Sequence, residues 1–196
     1  MQNEKVIKFD LDGYGVVKDA ILEIINQSPL IEGKEPVSFG VLEETHGFAM
    51  IPVSSSVIES TRKSITGKVT EICYYPFSLV YRGSGMNERK KSEVSELLDN
   101  IGKYLEKKEI DIDGVGHRLK YYPLLTENRK FLEIRRQTPS YLANVYEDKT
   151  EDWEIRITAR YENIYRSDGH NKAEDIFDGG DFKNYSDVIL YDGGTY

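Results

Sequence analysis

The chain has 196 residues, room for one domain with an appended segment, and 39% of them are apolar, enough for a core. A formal charge of −8 speaks against binding to nucleic acid or to an anionic membrane surface, since both need clustered Lys and Arg. The single cysteine, Cys73, excludes an intramolecular disulfide; its apolar surroundings are those of a buried, inert thiol in a reducing compartment.

The opening residues, "MQNEKVIKFD", lack the apolar core of a signal peptide. Stretches such as "FAMIPV" fall far short of the ~20 residues a spanning helix needs, so the expectation is a soluble protein made in the cytoplasm. "KFDLDGYGVV" (8–17) carries Asp10-Leu11-Asp12-Gly13. This spacing resembles the signature of haloacid-dehalogenase-type phosphatases, in which Asp10 would be the nucleophile and Asp12 the proton carrier on the same side of a strand. Lys8 within the preceding run suits an exposed segment better than a central parallel strand, and Tyr14 stands where that family has Thr or Val. "MIPVSSS" and the Asp181/Asp187 pair match its later motifs only loosely, so the better reading of Asp-x-Asp-Gly is a turn.

"VVKDAILEIINQ" (16–27) places Val17, Ala20, Ile21, Ile24 and Ile25 on one helical face, closed by Ser28-Pro29. "PVSFGVLE" (36–43) and "GFAMIPV" (47–53) read as a hairpin. Residues 54–67 are polar and irregular, either a long loop or an extended hairpin. Lys68 to Arg82 form a long strand pattern broken by Pro76, which implies an edge position or a bulge with a bend. Residues 87–108 give the clearest helix, with Val94, Leu97, Leu98, Ile101 and Leu105 in register and Asn87 as N-cap. Residues 109–130 read as loop with one short strand, and 129–138 as a strand before Pro139. In 152–164, Trp153, Ile155, Ile157, Ala159 and Tyr161 alternate with Glu154, Arg156, Thr158, Arg160 and Glu162. The order predicts an α+β fold: a mostly antiparallel sheet with two helices packed on one face, spanning residues 1–165.

Residues 166–196 differ in character, with seven acidic against three basic residues and two related pieces, "IFDGGDF" and "LYDGGTY". Each places an Asp-Gly-Gly turn between aromatic residues. The segment reads as an extension, either lying on another subunit or solvated, and its candidate contact residues are Phe177, Phe182, Leu190, Tyr191 and Tyr196. Fourteen tyrosines admit two readings, a contact-rich surface or the ordinary preference of strands.

No catalytic, cofactor or metal site is expected. His46, His117 and His170 are scattered, without metal-ligand spacing to each other or to Cys73. Gly83-Ser84-Gly85 precedes a helix but lacks the ending of a phosphate loop, and reads as a strand-to-helix turn.

One series of landmarks resembles a known family. The helix ending "IINQSP" is followed by "VSFGVL", "FAMIPV", "ITGKVTEICYYPFSLVYRG" and "NERKKSEVSELLDNIGKYLEKK", and then by "LEIRRQTPSYLANVYEDKTEDWEIRITARYE". Over residues 16–165 this is similar to the minor capsid, or tail-terminator, proteins of long-tailed bacteriophages and prophages. The resemblance implies a virion protein without enzymatic activity, assembled in the host cytoplasm. It would form a homo-oligomeric ring, usually of six, on the major tail tube protein. The ring would stop tube growth and join tail to head-completion and neck proteins. Viral DNA would pass through without specific binding, in keeping with the acidic charge. Closing such a ring needs head-to-tail contacts, for which Glu154, Arg156, Arg160 and Glu162 are candidates, a solvated sheet face being the alternative. An assembly module unconnected with phage and the phosphatase are the competing readings.

Overall fold

The computed structural model describes residues 8–126 and 128–166. Among the described residues, two helices, α1 (Leu11–Asn26) and α2 (Glu88–Leu105), accompany ten strands. These are β1 (Ser38–Phe39), β2 (His46–Pro52), β3 (Val57–Lys63), β4 (Lys68–Ser84), β5 (Ile110–Ile112), β6 (Val115–His117), β7 (Leu124–Thr126), β8 (Arg129–Arg136), β9 (Tyr141–Val145) and β10 (Thr150–Arg166). The result is an α+β fold, a curled mixed sheet with two packed helices.

Its spine is the antiparallel pair β4–β10, matched residue for residue from Lys68↔Arg166 to Ser84↔Thr150. The outer side of β4 is shared: β3 pairs with its first half and β2 with its second. The outer side of β10 is shared in the same way by β9 and β8, with β7 beyond β8. β5 and β6 form a separate small hairpin.

Alternation along the spine sorts its side chains onto two faces. Cys73, Tyr75, Phe77 and Leu79 from β4, with Ile155, Ile157, Ala159 and Tyr161 from β10, lie beneath both helices and are fully or almost fully buried. Val17, Ile21 and Ile25 of α1 and Val94, Leu98, Ile101 and Leu105 of α2 complete this core. Burial pushes the Cys73 thiol up to about 12, so it stays protonated at neutral pH.

Four expectations change. Asp10-Leu11-Asp12-Gly13 is a helix start: Asp10 caps α1, accepting from the Gly13 N–H at 3.0 Å, so the helix begins five residues before Val16. The hairpin across 36–53 does not form. Only Ser38 and Phe39 pair with β2, and they run parallel to it, while Val41 is 69% exposed. β2 instead lies antiparallel to β4, where Phe48 and Met50 reach the core. Pro76 sits in a central strand rather than at an edge, and the β10 ladder runs past it without a bulge. It falls in the gap between β2, which ends opposite Phe77, and β3, which begins opposite Tyr74. Its carbonyl there accepts from the Val53 N–H at 3.0 Å, and the missing N–H leaves no ladder bond unmade. Finally, residues 109–126 contain three short strands instead of one, and Tyr141–Val145 adds an unexpected edge strand.

The helix over 87–108 and the strands over 129–138 and 152–164 form as expected. α2 starts from Asn87, whose side chain accepts from the Lys90 N–H at 2.9 Å. Residues 57–84 form the extended hairpin of the two alternatives for 54–67.

Candidate assembly surfaces

Two sets of charged residues occupy the sheet, one under the helices and one on the open face. Beneath the helices, Asp10 is held by Arg129 of β8 through two bonds, Nε to Oδ2 at 3.1 Å and Nη2 to Oδ1 at 2.9 Å. The Tyr161 hydroxyl donates to Oδ2 at 2.8 Å. Burial alone would raise the Asp10 carboxyl; the Arg129 and Tyr161 hydrogen bonds and the Arg129 charge outweigh it and hold the group below its ordinary range. Gly13 makes this possible, because a Cβ there would meet the Asp10 carboxylate and the Tyr161 hydroxyl. Asp12 is exposed on the first turn, and its charge adds to that of Asp10 in holding the Arg129 guanidinium above its ordinary range. Of the two aspartates, Asp10 is a buried cap and Asp12 a surface charge. Next to the cap, Glu71 accepts from the Tyr165 hydroxyl at 2.8 Å and from Asn163 at 3.3 Å.

At α2's C-terminal end, Glu106 grips Arg136 of β8 through Nε at 3.2 Å, Nη2 at 3.1 Å and the backbone N–H at 3.0 Å. Burial opposes ionisation of Glu106, but the Arg136 and Lys108 hydrogen bonds prevail and bring its carboxyl down to about 2.

The open face carries the four charged residues singled out on β10. Glu154 accepts from the Ser78 hydroxyl at 2.8 Å and from Arg156 Nε at 2.9 Å. Arg160 reaches Glu59 of β3 at 2.8 Å and Glu133 of β8 at 3.0 Å, spanning the sheet across β4 and β10. Glu162 pairs with Lys130 at 2.9 Å. Half-buried Ile72, Tyr74 and Pro76 lie among these pairs. Each of the four thus has a partner within its own chain, and the face presents pre-oriented pairs of both signs. At one end of the spine, Arg82 grips Asp152 through Nε and Nη2 at 2.7 and 2.8 Å, and Tyr146 donates to the same carboxylate at 2.8 Å. Sequence reading passed over this clamp because its members are 64 to 70 residues apart or sit in an unrecognised turn.

Phe177, Phe182, Leu190, Tyr191 and Tyr196 lie outside the described residues. Among the described residues, no three His, Cys, Asp or Glu side chains are grouped to hold a metal ion, and no helix is long and apolar enough to cross a membrane. An open groove of about 370 Å³ lies beside α2, lined by Ile31, Phe48, Tyr81, Val94 and Leu97 with Lys90 and Glu93 at its rim.

No family model matches the chain, and no curated protein does. Solved structures match by fold. One is a chain described as "Virion of native gene transfer agent (GTA) particle", aligned at a TM-score of 0.50 and 8% identity. The alignment covers 80% of this chain and 100% of that chain. The fold is one found in a virion. At this identity the likeness concerns the backbone arrangement alone.

Proposed function

We propose that the protein is a structural component of a phage-like virion, a tail terminator that forms a ring at the head-proximal end of the tail tube and joins tail to head. The observation that carries this reading is the fold: a complete chain of a gene transfer agent virion is matched by a structure in which two helices cover one sheet face and leave the other open. The landmarks that resemble tail terminators occupy residues 16–165.

The surface chemistry supports assembly over catalysis. Asp10, the best candidate for a nucleophile, is committed to Arg129, Tyr161 and the helix cap. The open face offers paired Glu and Arg in fixed geometry, which a neighbouring copy can meet with complementary charge at little ordering cost. A net charge of −8 repels the DNA backbone and lets it pass. In this reading the partners are further copies of the chain in a six-membered ring, the major tail tube protein and the neck proteins. A cofactor has no part in it.

The test is electron microscopy of particles made with and without the protein. Without it, tubes of irregular or excessive length that fail to join heads are expected. Tails of normal length, normally joined to heads, overturn the proposal.

A further inference from the structure

We infer that the arm formed by β3 and the start of β4, residues 60–70, is the seat for the acidic segment 167–196 of an adjacent copy. The inference rests on the ring reading and adds to it which surface meets which segment.

The first observation is an open strand edge. β3 pairs only with β4 within the sheet, and on its other side the Phe9↔Val57 bridge and the Ile58 N–H to Lys8 carbonyl bond close its beginning. Past Ile58, no described residue pairs with that outer edge. Residues 59–66 are all exposed, and Ile65 at the tip is fully so. An edge of this kind binds an extended segment through main-chain hydrogen bonds.

The second observation is charge. Between residues 61 and 70 stand Arg62, Lys63 and Lys68 and no acid, in a chain of net −8. None of the three makes an ion pair among the described residues, whereas the arginines on the neighbouring open face are paired. Residues 167–196 carry seven acids against Lys172 and Lys183, together with the apolar pieces around the two Asp-Gly-Gly sequences. An acidic segment with apolar pieces is the complement of a basic strand edge.

The third observation concerns direction. β10 runs toward the arm's tip and ends at Arg166 opposite Lys68, level with the turn that joins β3 to β4. Arg166, the last described residue, thus lies at the arm's end, on the β10 side of β4. The open edge lies on the other side of β4. In the proposed head-to-tail ring, the segment that follows Arg166 is assigned to the open edge of the next copy's arm.

The experiment mixes two full-length chains with different tags, one carrying Arg62→Cys and the other Asp181→Cys, under mild oxidation. Cys73 is buried and does not compete. A disulfide between the two tags is expected, reduced about fivefold or more by ~0.5 M salt through screening. Replacing Lys63 and Lys68 by Glu in the Arg62→Cys chain is expected to reduce it similarly. Absence of the inter-chain product overturns the inference, as does efficient intrachain bonding in a dilute chain carrying both cysteines. Rings seen by microscopy without the cross-link overturn the seat and leave the terminator reading standing. The cross-link without rings supports the seat and removes that reading.

Discussion

The two faces of the sheet use the same residue types for different ends. Under the helices, the Arg129–Asp10 side chains are 11% and 6% exposed, and Arg136–Glu106 21% and 12%. On the open face, Arg160 and Glu59 are 40% and 46% exposed, and Lys130 is 62% exposed beside Glu162. The shielded pairs each tie an end of a helix to β8: Asp10 at the start of α1, Glu106 at the C-cap of α2. Little water screens them, and both carboxyls are held below their ordinary range by their arginine partners, which couples proton binding to folding. The exposed pairs join strand to strand, where backbone ladders already hold the sheet. Burial, not the identity of the charges, separates the two kinds of pair, and the Arg82–Asp152 clamp, 18% and 5% exposed, belongs with the shielded ones although no helix covers it.

Removing a shielded partner is the strongest way to test that division. Arg129→Leu leaves the Asp10 carboxylate buried without its cation, and a loss of about 3–5 kcal/mol in denaturant titration is expected. A loss below ~1 kcal/mol, the range of an exposed pair, would erase the distinction between the faces.

The next effect is smaller and depends on space. Gly13→Ala adds a methyl group where the Asp10 carboxylate and the Tyr161 hydroxyl already meet the backbone. Arg129 pins the first and full burial pins the second, so neither yields easily. Overpacking is expected to cost about 1–3 kcal/mol, more than the helix propensity Ala brings, with a lowered Tm as the readout. An unchanged or raised Tm would show that the cluster is loose.

Acid titration sharpens the contrast. The Glu106 carboxyl lies at about 2 in the folded chain against an ordinary 4.5. A lowered folded value means that its contribution is complete above about 4.5 and is lost as pH falls toward about 2. Glu106→Gln is therefore expected to be less stable than the natural chain near neutral pH and to lose less stability across that window. Equal acid sensitivity in both chains would count against the pair.

Arg160→Ala, on the open face, is expected to change stability by less than about 1 kcal/mol, because water screens both of its partners. In the proposed ring it should reduce assembly on tail tubes, read by sedimentation beside thermal melting. A large drop in Tm would make Arg160 a fold residue; unchanged assembly would return this face to solvent.

What the sequence by itself determined is local. Asn87 and the apolar spacing that follows it set α2, the stripe from Val17 to Ile25 set the buried side of α1, and strict alternation from Trp153 to Tyr161 divided β10 between core and surface. Each depends on neighbours within about two turns or a few strand residues, so it can be read without knowing the fold. The start of α1 was present as an aspartate cap but masked by two early glycines and a spacing shared with a catalytic motif.

Only the tertiary structure decided which strands pair, and therefore what the charges do. β2 lies antiparallel to β4, with only Ser38 and Phe39 of its sequence neighbour on its other side, because Phe48 and Met50 gain a core there. Pro76 sits in a central strand because two outer strands happen to part beside it. Asp10 became a buried anchor because Arg129, 119 residues later, and Tyr161, 151 residues later, arrive at the same point. Partners so distant in the chain leave no periodic or short-range mark, since the free energy that unites them comes from burying the sheet beneath the helices.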